Sequence, residues 1–319
     1  MSEPVPVEAF RAKARDLVKM QRAEEAEAVI RDGLRRFPGD GDLQSWLPFA
    51  LLQQGRYREG FREHEARYTR QTTLAQKMPM PEWDGPIAGR SIFLFGEGGI
   101  GDEIQIARYL RDLRNLGARK IAVACHPANI GVFRQLGAEV VVDRVVERLA
   151  LPDCDCWLRA WSLPYRLGVR LLDVTGEPYL TADPLPGGGV GLVERGNPKN
   201  PRDADRSMPA GLLQAAIPQG RLLKPRGDTL ESLRLVAGLD LLITVDTSWA
   251  HMAGALGVRC WLLLPDRDLD WRWLRARSDS PWYDSLRLFR QSRPGDWAGL
   301  VSEVTLALQQ ETFGGAGAP

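Results

Sequence analysis

The stretch Ser91-Ile-Phe-Leu-Phe-Gly-Glu-Gly-Gly-Ile-Gly-Asp-Glu-Ile-Gln105 decides the fold. Its apolar start, Ser91–Phe95, predicts a buried strand, and the four glycines between positions 96 and 101 predict a tight turn. Residues 103–116 then carry apolar side chains at helical spacing, with Asp102 opening the helix. A strand, a glycine turn and a helix N-terminus together point backbone N–H groups at a site where an anion could bind.

The same alternation of strand and helix continues to the end of the chain, with a Pro- and Gly-rich break at 183–189. The predicted strands are Ser91–Phe95, Lys120–Cys125, 139–142, 154–158, 190–194, 221–223, Leu241–Val245, Cys260–Leu264 and 286–289. Such alternation is typical of parallel, doubly wound α/β sheets. We therefore expect two Rossmann-like domains that face a cleft, with the loops at their strand ends directed into it.

Residues 7–75 differ from the rest because their pattern is helical throughout. Small, apolar, small and terminating residues of a tetratricopeptide repeat are matched in a first unit by Ala26, Ile30, Gly33 and Pro38. A shift by roughly the 34-residue period puts Gly60 at the position of Ala26, whereas Arg67 and Thr72 replace the second small residue and the proline. The alternative is a plain helical hairpin. A proline-containing linker follows at 77–89, so the predicted domains are a helical tetratricopeptide-like domain at 1–78, a first Rossmann-like domain at 79–186 and a second at 187–319.

The composition excludes several classes of protein. Forty-two basic residues nearly balance 41 acidic ones, and the net charge of +1 gives no basic surface for nucleic acid. Four cysteines are too few for a disulfide framework, and the lone Cys154-x-Cys156 pair predicts buried thiols in a reducing compartment. The N-terminus lacks the apolar region of a signal peptide, and no run approaches the roughly 20 apolar residues of a membrane span. We expect a soluble cytoplasmic protein with no transmembrane segment.

One interpretation of the glycine turn is a dinucleotide site, because Gly96, Gly98 and Gly101 match G-x-G-x-x-G. Such a site also requires an acidic residue at the end of the second strand, where this chain has His126. Asp102 would in addition repel a pyrophosphate at the helix mouth. The sequence therefore disfavours a nicotinamide dehydrogenase.

Asp102 has two compatible interpretations. It can cap the helix, since aspartate accepts hydrogen bonds from the free N–H groups of a first turn. It can also act as a general base that takes a proton from an acceptor hydroxyl. Glu97 and Glu103 are weaker candidates for the same role.

A second loop, at 245–251, follows the apolar strand Leu241–Val245 and opens a helix at 249–256. Thr247 and Ser248 offer hydroxyl donors to a phosphate, and His251 lies one turn further on the same face. The alternative is that Asp246 or Thr247 only caps the helix and His251 packs in the core. At a strand end that faces the expected cleft, we favour binding.

A third stretch, at 197–207, follows the first strand of the second half and carries Lys199, Arg202 and Arg206. These cations could stabilise the negative charge of a departing diphosphate. The alternative is a solvated polar loop.

Four blocks of the sequence resemble a known family. They are GRYREGFREHEAR at 55–67, WDG with GR between 83 and 90, GGIGDEIQIARY at 98–109 and VDTSWAHMAGALG at 245–257, with DWRW at 270–273, SPWY at 280–283 and RLFRQ at 287–291 extending the match. The chain resembles bacterial proteins that join a tetratricopeptide region to a GT-B glycosyltransferase module related to the ADP-heptose lipopolysaccharide heptosyltransferases (glycosyltransferase family nine). The resemblance covers roughly residues 50–310.

The resemblance implies an inverting, metal-independent transferase whose nucleotide-sugar is a substrate, with no further cofactor. It implies that Asp102 is the base, that the C-terminal half binds the donor and that the N-terminal half binds the acceptor. The donor-side residues are Lys199, Arg206, Asp246, Thr247, Ser248 and His251, and the acceptor-side loop contains Gly98, Gly99, Gly101 and Gln105.

The implied partners are a nucleotide-diphosphate sugar, an acceptor glycan or protein, and a further protein that could bind the helical repeats. The sequence departs from the family in two places, and the second of them supports an alternative, a non-catalytic scaffold or binding protein. The turn before Asp102 reads Gly96-Glu-Gly-Gly99 instead of carrying a glutamine, and the segment 207–240 is short.

Overall fold

The computed structural model describes residues 6–70, 78–145, 150–200, 203–225, 227–275 and 277–314. The chain forms two compact units: unit 1 comprises Met1–Thr175 with Gly227–Leu230, and unit 2 comprises Gly176–Arg226 with Glu231–Pro319. The division into three domains at 1–78, 79–186 and 187–319 stays a prediction.

Unit 1 begins with four helices: α1 (Val7–Lys19), α2 (Ala23–Arg36), α3 (Gly41–Gln53) and α4 (Tyr57–His64), followed by a 3₁₀ helix, Glu65–Arg70. α3 begins 34 positions after α1, and α4 begins 34 positions after α2. Gly33 gives α2 a close approach to α3, because a Cβ there would lie 2.6 Å from Leu43 Cδ1. The prediction that 7–75 is helical therefore holds to residue 70, and 71–75 lies outside the described residues.

The sheet of unit 1 has four parallel strands in the order β3-β2-β1-β4. They are β1 (Ser91–Phe95), β2 (Lys120–Cys125), β3 (Val140–Asp143) and β4 (Cys156–Arg159), and the helices among them are α5 (Ile100–Ala107), α6 (Tyr109–Asn115), α7 (Ile130–Gln135) and α8 (Leu163–Arg166). Every strand predicted in this half is present within two residues of its expected bounds.

The helix after the glycine turn differs from its prediction. Instead of one helix at 103–116 there are two, α5 and α6, separated at Arg108. α5 begins at Ile100, so Asp102 is the third residue of the helix and does not open it. The reason is that the Asp102 carboxylate reaches back and accepts the N–H of Gly99, which is the residue before the helix.

Unit 2 contains five parallel strands in the order β6-β5-β7-β8-β9. They are β5 (Val190–Val193), β6 (Arg221–Leu222), β7 (Leu241–Val245), β8 (Cys260–Leu264) and β9 (Leu286–Arg290). The helices are α9 (Asp203–Arg206), α10 (Leu212–Ala216), α11 (Thr229–Ala237), which begins in the unit 1 segment, α12 (Ser248–Leu256) and α13 (Trp297–Gly314). Ile243, Leu263 and Trp261 pack with residues of α13 in the core.

All four cysteines are buried free thiols, as predicted: Cys125, Cys154, Cys156 and Cys260. Among the helices that the structure describes, none combines the length and the apolar character needed to cross a bilayer.

The strand orders determine where ligands can bind. In an open parallel sheet the favoured position lies beyond the carboxyl ends of two neighbouring strands whose connections run in opposite directions. In unit 1 these strands are β1 and β4, and in unit 2 they are β5 and β7. The loops that follow these four strands are therefore the first places to look for a functional site.

Candidate functional site

The glycine loop of unit 1 follows β1 and holds Asp102 in a defined position. Asp102 Oδ2 accepts the Gly99 N–H at 2.8 Å. Gly98 has φ +76°, and a Cβ at this position would lie 2.5 Å from Asp102 Oδ2. The carboxylate therefore occupies an N–H that a bound anion would otherwise use. The helix-end role predicted for Asp102 is present in this form, and its role as base remains a proposal.

Glu103 lies next to Asp102, but its carboxylate already accepts hydrogen bonds from groups inside the fold. Its carboxylate accepts the His126 N–H at 2.9 Å, the Asn129 Nδ2 at 2.9 Å and the Arg144 Nε at 2.6 Å. Glu103 is 1% exposed, and its contact with His126 connects α5 to the end of β2. Any substrate proton would have to displace one of these buried donors, which makes Glu103 a poor base.

The predicted acceptor-side residues differ in accessibility. Gly98 and Gly99 are exposed on the loop, and Gly101 is half-buried in the first turn of α5. Gln105 is fully buried in the same helix. The structure therefore presents the loop backbone at the surface and holds the Gln105 side chain inside.

The loop after β7 in unit 2 begins the nine-residue helix α12. Thr247 is the residue before this helix, and its Oγ1 accepts the Trp249 N–H at 3.4 Å while lying 3.3 Å from Thr244 Oγ1. The capping interpretation is thus correct for Thr247. Ser248 is the first residue of α12 and is half-buried. Its position leaves the hydroxyl at the positive end of the helix dipole.

Asp246 precedes Thr247 and lies within a group of charged side chains. Burial, together with the charge of Asp270, raises the pKa of Asp246 to about 6. Attraction to Arg206 and Arg272 opposes this rise. Two carboxylates and two guanidinium groups therefore interact at the carboxyl end of β7.

The structure brings Arg206 into this group through the loop that follows β5. Arg206 ends the short helix α9, and its Nε lies 3.5 Å from Asp203 Oδ1. Gly196 permits this arrangement, because a Cβ there would lie 2.2 Å from the same Asp203 oxygen. The charge of Arg206 thus acts on Asp246, and the two residues follow the neighbouring strands β5 and β7.

The two other cations of the predicted basic stretch have different positions. Lys199 is exposed on the turn 197–200, where its N–H donates to Asn197 Oδ1. The described charge partners of Asp246 include Arg206 and Arg272 but not Lys199. Arg202 lies outside the described residues.

Sequence reasoning assigned no role to the segment after β8, although the structure places it at this site. Asp270 accepts the Arg272 N–H at 3.1 Å and pairs with Arg272 Nη1 at 2.7 Å. Asp268 and Leu274, on either side, have φ of +53° and +38°. Non-glycine residues in this region are strained, and such strain concentrates at functional sites. Two signals could have identified this segment: the end of strand β8, and the DWRW block at 270–273 that extends the family match.

His251 packs beside the same group. Its Nδ1 lies 2.9 Å from the Tyr283 hydroxyl, and its ring centroid lies 5.6 Å from that of Trp273. Gly254, one turn further along α12, allows this packing because a Cβ there would lie 2.2 Å from the Tyr283 ring.

Within the described part of the chain, no group of three or more His, Cys, Asp or Glu side chains is placed to hold a metal ion.

Comparisons with known proteins give only distant similarity. No family model and no curated protein sequence matches the chain. Among solved structures, ADP-heptose lipopolysaccharide heptosyltransferase II of E. coli is 12% identical with a TM-score of 0.44, over 69% of this chain and 99% of that one.

Two further solved structures have lower scores. The iron-containing dodecameric glycosyltransferase TibC of enterotoxigenic E. coli is 12% identical with a TM-score of 0.41, over 69% of this chain and 66% of that one. The E. coli heptosyltransferase WaaC with ADP-2-deoxy-2-fluoro heptose is 11% identical with a TM-score of 0.31, over 93% and 96% of the two chains. At these identities and scores the chain is similar to these proteins without being assigned to their family.

Proposed function

We propose that the protein is a GT-B glycosyltransferase that moves a sugar from a nucleotide-diphosphate donor to an acceptor hydroxyl. The observation that carries this proposal is the charged group of unit 2, in which Arg206 and Arg272 interact with Asp246 at the start of α12. This group lies at the strand ends where open parallel sheets bind nucleotides. The sequence blocks that resemble heptosyltransferase-related proteins include the same loop.

In this proposal the donor binds to unit 2. The first N–H groups of α12 and the Ser248 hydroxyl donate to the diphosphate, and Thr247 holds the helix end in place. Arg206, Arg272 and the exposed Lys199 supply positive charge. Asp246 accepts a hydrogen bond from a hydroxyl of the donor, and His251, which we also assign to the donor side, lies in the first turn of the same helix.

The transfer itself needs one base and stabilisation of one leaving group. Asp102 removes the proton of the acceptor hydroxyl while the acceptor oxygen forms a bond to the anomeric carbon of the sugar. The bond from that carbon to the diphosphate oxygen breaks, and the configuration inverts. Guanidinium groups and backbone N–H groups stabilise the departing diphosphate, so this chemistry requires no metal ion.

The helical region of unit 1 belongs to the same proposal. The 34-residue spacing of its helix starts supports a tetratricopeptide-like repeat, which binds an acceptor protein or another partner. We place the enzyme in the cytoplasm, where nucleotide-sugars are donors and thiols stay reduced.

One observation favours a second candidate, a scaffold that binds partners without catalysis. β6 has only two residues, so the edge of the unit 2 sheet next to β5 is minimal. A dehydrogenase is disfavoured further, because Asp102 already occupies the Gly99 N–H that a dinucleotide pyrophosphate would need.

Titration calorimetry with a panel of sugar nucleotides tests the proposal. We expect the wild-type chain to bind at least one of them, and Arg206→Ala to weaken that binding by roughly 10-fold or more. Arg293→Ala, which removes an exposed arginine paired with Asp296, serves as the control and should bind as the wild type does. A folded protein that binds no sugar nucleotide would favour the scaffold, and binding of NAD would favour the dehydrogenase.

A further inference from the structure

Glu97 is the acidic residue of the glycine loop and a weaker candidate than Asp102 for the base. Its carboxylate accepts Arg67 Nε at 3.2 Å and Arg67 Nη2 at 3.0 Å. It also accepts the Trp161 N–H at 3.2 Å, and Arg159 Nη1 lies 3.6 Å away. Its contacts therefore join the loop after β1 to the loop after β4 and to the helical region.

Arg67 lies in the 3₁₀ helix that ends the helical region, and every N–H of its guanidinium donates a hydrogen bond. Besides its two bonds to Glu97, Nη1 donates to the His64 carbonyl at 3.1 Å and to Glu65 at 2.7 Å. Nη2 donates its other hydrogen to Ser162 Oγ at 2.8 Å. A guanidinium has five N–H donors in a fixed planar arrangement, and these contacts account for all five. Lysine, with three donors on one atom, cannot reproduce this pattern.

The charges of this network balance. Arg67 and Arg159 carry two positive charges, and Glu65 and Glu97 carry two negative ones. The side chains are largely buried, from 3% exposed for Arg159 to 20% for Glu65. Burial lowers the pKa of Arg67, but the carboxylates of Glu97 and Glu65 raise it overall. In a buried network of this kind, the loss of one partner leaves another charge uncompensated.

The segment that Glu97 anchors has little stiffness of its own, because Gly96, Gly98 and Gly99 surround it. The described side-chain anchors of this segment lie on two sides. Arg144 Nη2 donates to the Gly98 carbonyl at 2.5 Å, and Arg67 holds Glu97. The Gly99 N–H in turn bonds to the Asp102 carboxylate. The position of Asp102 therefore depends on how firmly residues 96–99 are held.

We propose that the helical region completes the acceptor-side site of unit 1, with Arg67 and Glu97 as positioning residues for Asp102. Neither residue touches substrate in this proposal, since their polar atoms are used in the network. The inference rests on the proposed function for the part that concerns transfer. It explains why a helical segment that precedes the sheet carries an arginine whose partners lie 30 and 95 positions further along the chain.

Hydrogen–deuterium exchange on the full chain tests the anchoring without any substrate. In Arg67→Ala we expect the Gly99 and Trp161 amides to exchange about 10-fold faster, because Glu97 and the loop lose their anchor. Amides within β1 should stay near wild type. Arg67→Lys and Glu97→Gln, which change less volume, should give the same pattern at smaller amplitude and carry the test if Arg67→Ala does not fold. The control is Arg62→Ala, which removes an exposed arginine paired with Glu63.

Steady-state kinetics on the same variants tests the consequence for transfer. We expect kcat of Arg67→Ala to fall about 10²-fold while KM for the donor is unchanged, because a small displacement of a base costs that much. Arg67→Lys should lose kcat by a smaller factor, in proportion to its smaller change in exchange, and Arg62→Ala should match wild type. Wild-type exchange at Gly99 in Arg67→Ala, or wild-type kcat with faster exchange, would overturn the inference. If exchange is faster in Arg67→Ala but the wild-type chain itself transfers no sugar, the anchoring is upheld and the proposed function is rejected.

Discussion

Asp102 Oδ2 lies 2.8 Å from the Gly99 nitrogen, so the proposed base is also a structural element of the helix that carries it. The same contact removes one N–H from the surface that a dinucleotide would use. The carboxylate that we propose as the base thus also disfavours a dinucleotide at this loop. Substitutions at position 102 can separate the structural role of this carboxylate from its chemical one.

Asp102→Asn should keep the contact to Gly99, because an asparagine side-chain oxygen accepts the same hydrogen bond. We expect unfolding free energy within about 0.5 kcal/mol of wild type and unchanged donor binding. Transfer should fall by about 10² to 10⁴ because the amide cannot take a proton. Chemical denaturation, calorimetry and product analysis measure the three quantities. An Asp102→Asn enzyme that retains wild-type transfer would rule out Asp102 as the base.

Asp102→Ala is the matched comparison for that experiment. It removes both the oxygen and the proton acceptor, so it should lose about 1 kcal/mol of stability as well as transfer. If Asp102→Ala is as stable as Asp102→Asn, the contact to Gly99 contributes nothing to the fold.

Glu103→Gln should destabilise unit 1 by roughly 3 kcal/mol. The buried carboxylate accepts from three donors, and a glutamine would present an NH₂ group to one of them and remove the charge that pairs with Arg144. Urea denaturation measures the loss, with Glu63→Gln as a surface control. Equal stability of the two variants would contradict the assignment of Glu103 as a tie between α5 and β2.

Asp246 should make the protein less stable as pH rises from about 4 to about 6. Its pKa is about 6 in the folded chain against about 4 in the unfolded chain, so the folded state binds more protons in this window. The linked destabilisation is complete above pH 6 and is on the order of 2 kcal/mol. Asp246→Asn should remove it, so the variant should gain stability at pH 8 relative to wild type.

Denaturation midpoints at pH 5 and pH 8 check this sign. Asp173→Asn is the control, because contact with Arg170 lowers the pKa of Asp173 to about 2, far below the window. An Asp246→Asn variant with the same pH dependence as wild type would show that Asp246 ionises normally.

Gly254→Ala should destabilise unit 2 by about 1–3 kcal/mol, since its Cβ would lie 2.2 Å from the Tyr283 ring. The displaced ring would also move the hydroxyl that contacts His251. Tyr283→Phe separates the two effects: it keeps the ring and removes the hydroxyl, and should cost about 1 kcal/mol. Thermal unfolding of both variants distinguishes packing from hydrogen bonding.

Much of the fold could be predicted from the sequence, because strands buried on both faces are continuous apolar runs such as Leu241–Val245. The start of α5 could not. It depends on the reach of the Asp102 side chain back to Gly99, which the helical periodicity of 103–116 does not show. The sequence also did not predict that Glu103 is buried, because an acidic residue in the first turn of a helix usually faces solvent.

Of the candidate site, the sequence predicted only the part that local strand and helix patterns determine. The loop at 246–248 is local in sequence, so strand and helix patterns located it. Asp270 and Arg272 reach Asp246 only because β7 and β8 are parallel neighbours, with Val245 opposite Leu263. Which strands pair is a property of the whole sheet, so the sequence of either segment alone does not show that the two loops lie close together.

The order of strands in unit 2 also sets the order in which its sheet can assemble. Val190 pairs with Leu241, 51 positions later, whereas Leu242 pairs with Cys260, only 18 positions later. Closing the longer loop costs about 1 kcal/mol more chain entropy. From loop entropy alone we expect β7 to pair with β8 before it pairs with β5, so the loop that carries Arg206 should reach its position after that first pairing. The two loops that we propose bind the donor are therefore brought together by the strand pairing of unit 2 that spans 51 positions, and a lengthened chain between β5 and β7 should slow that step.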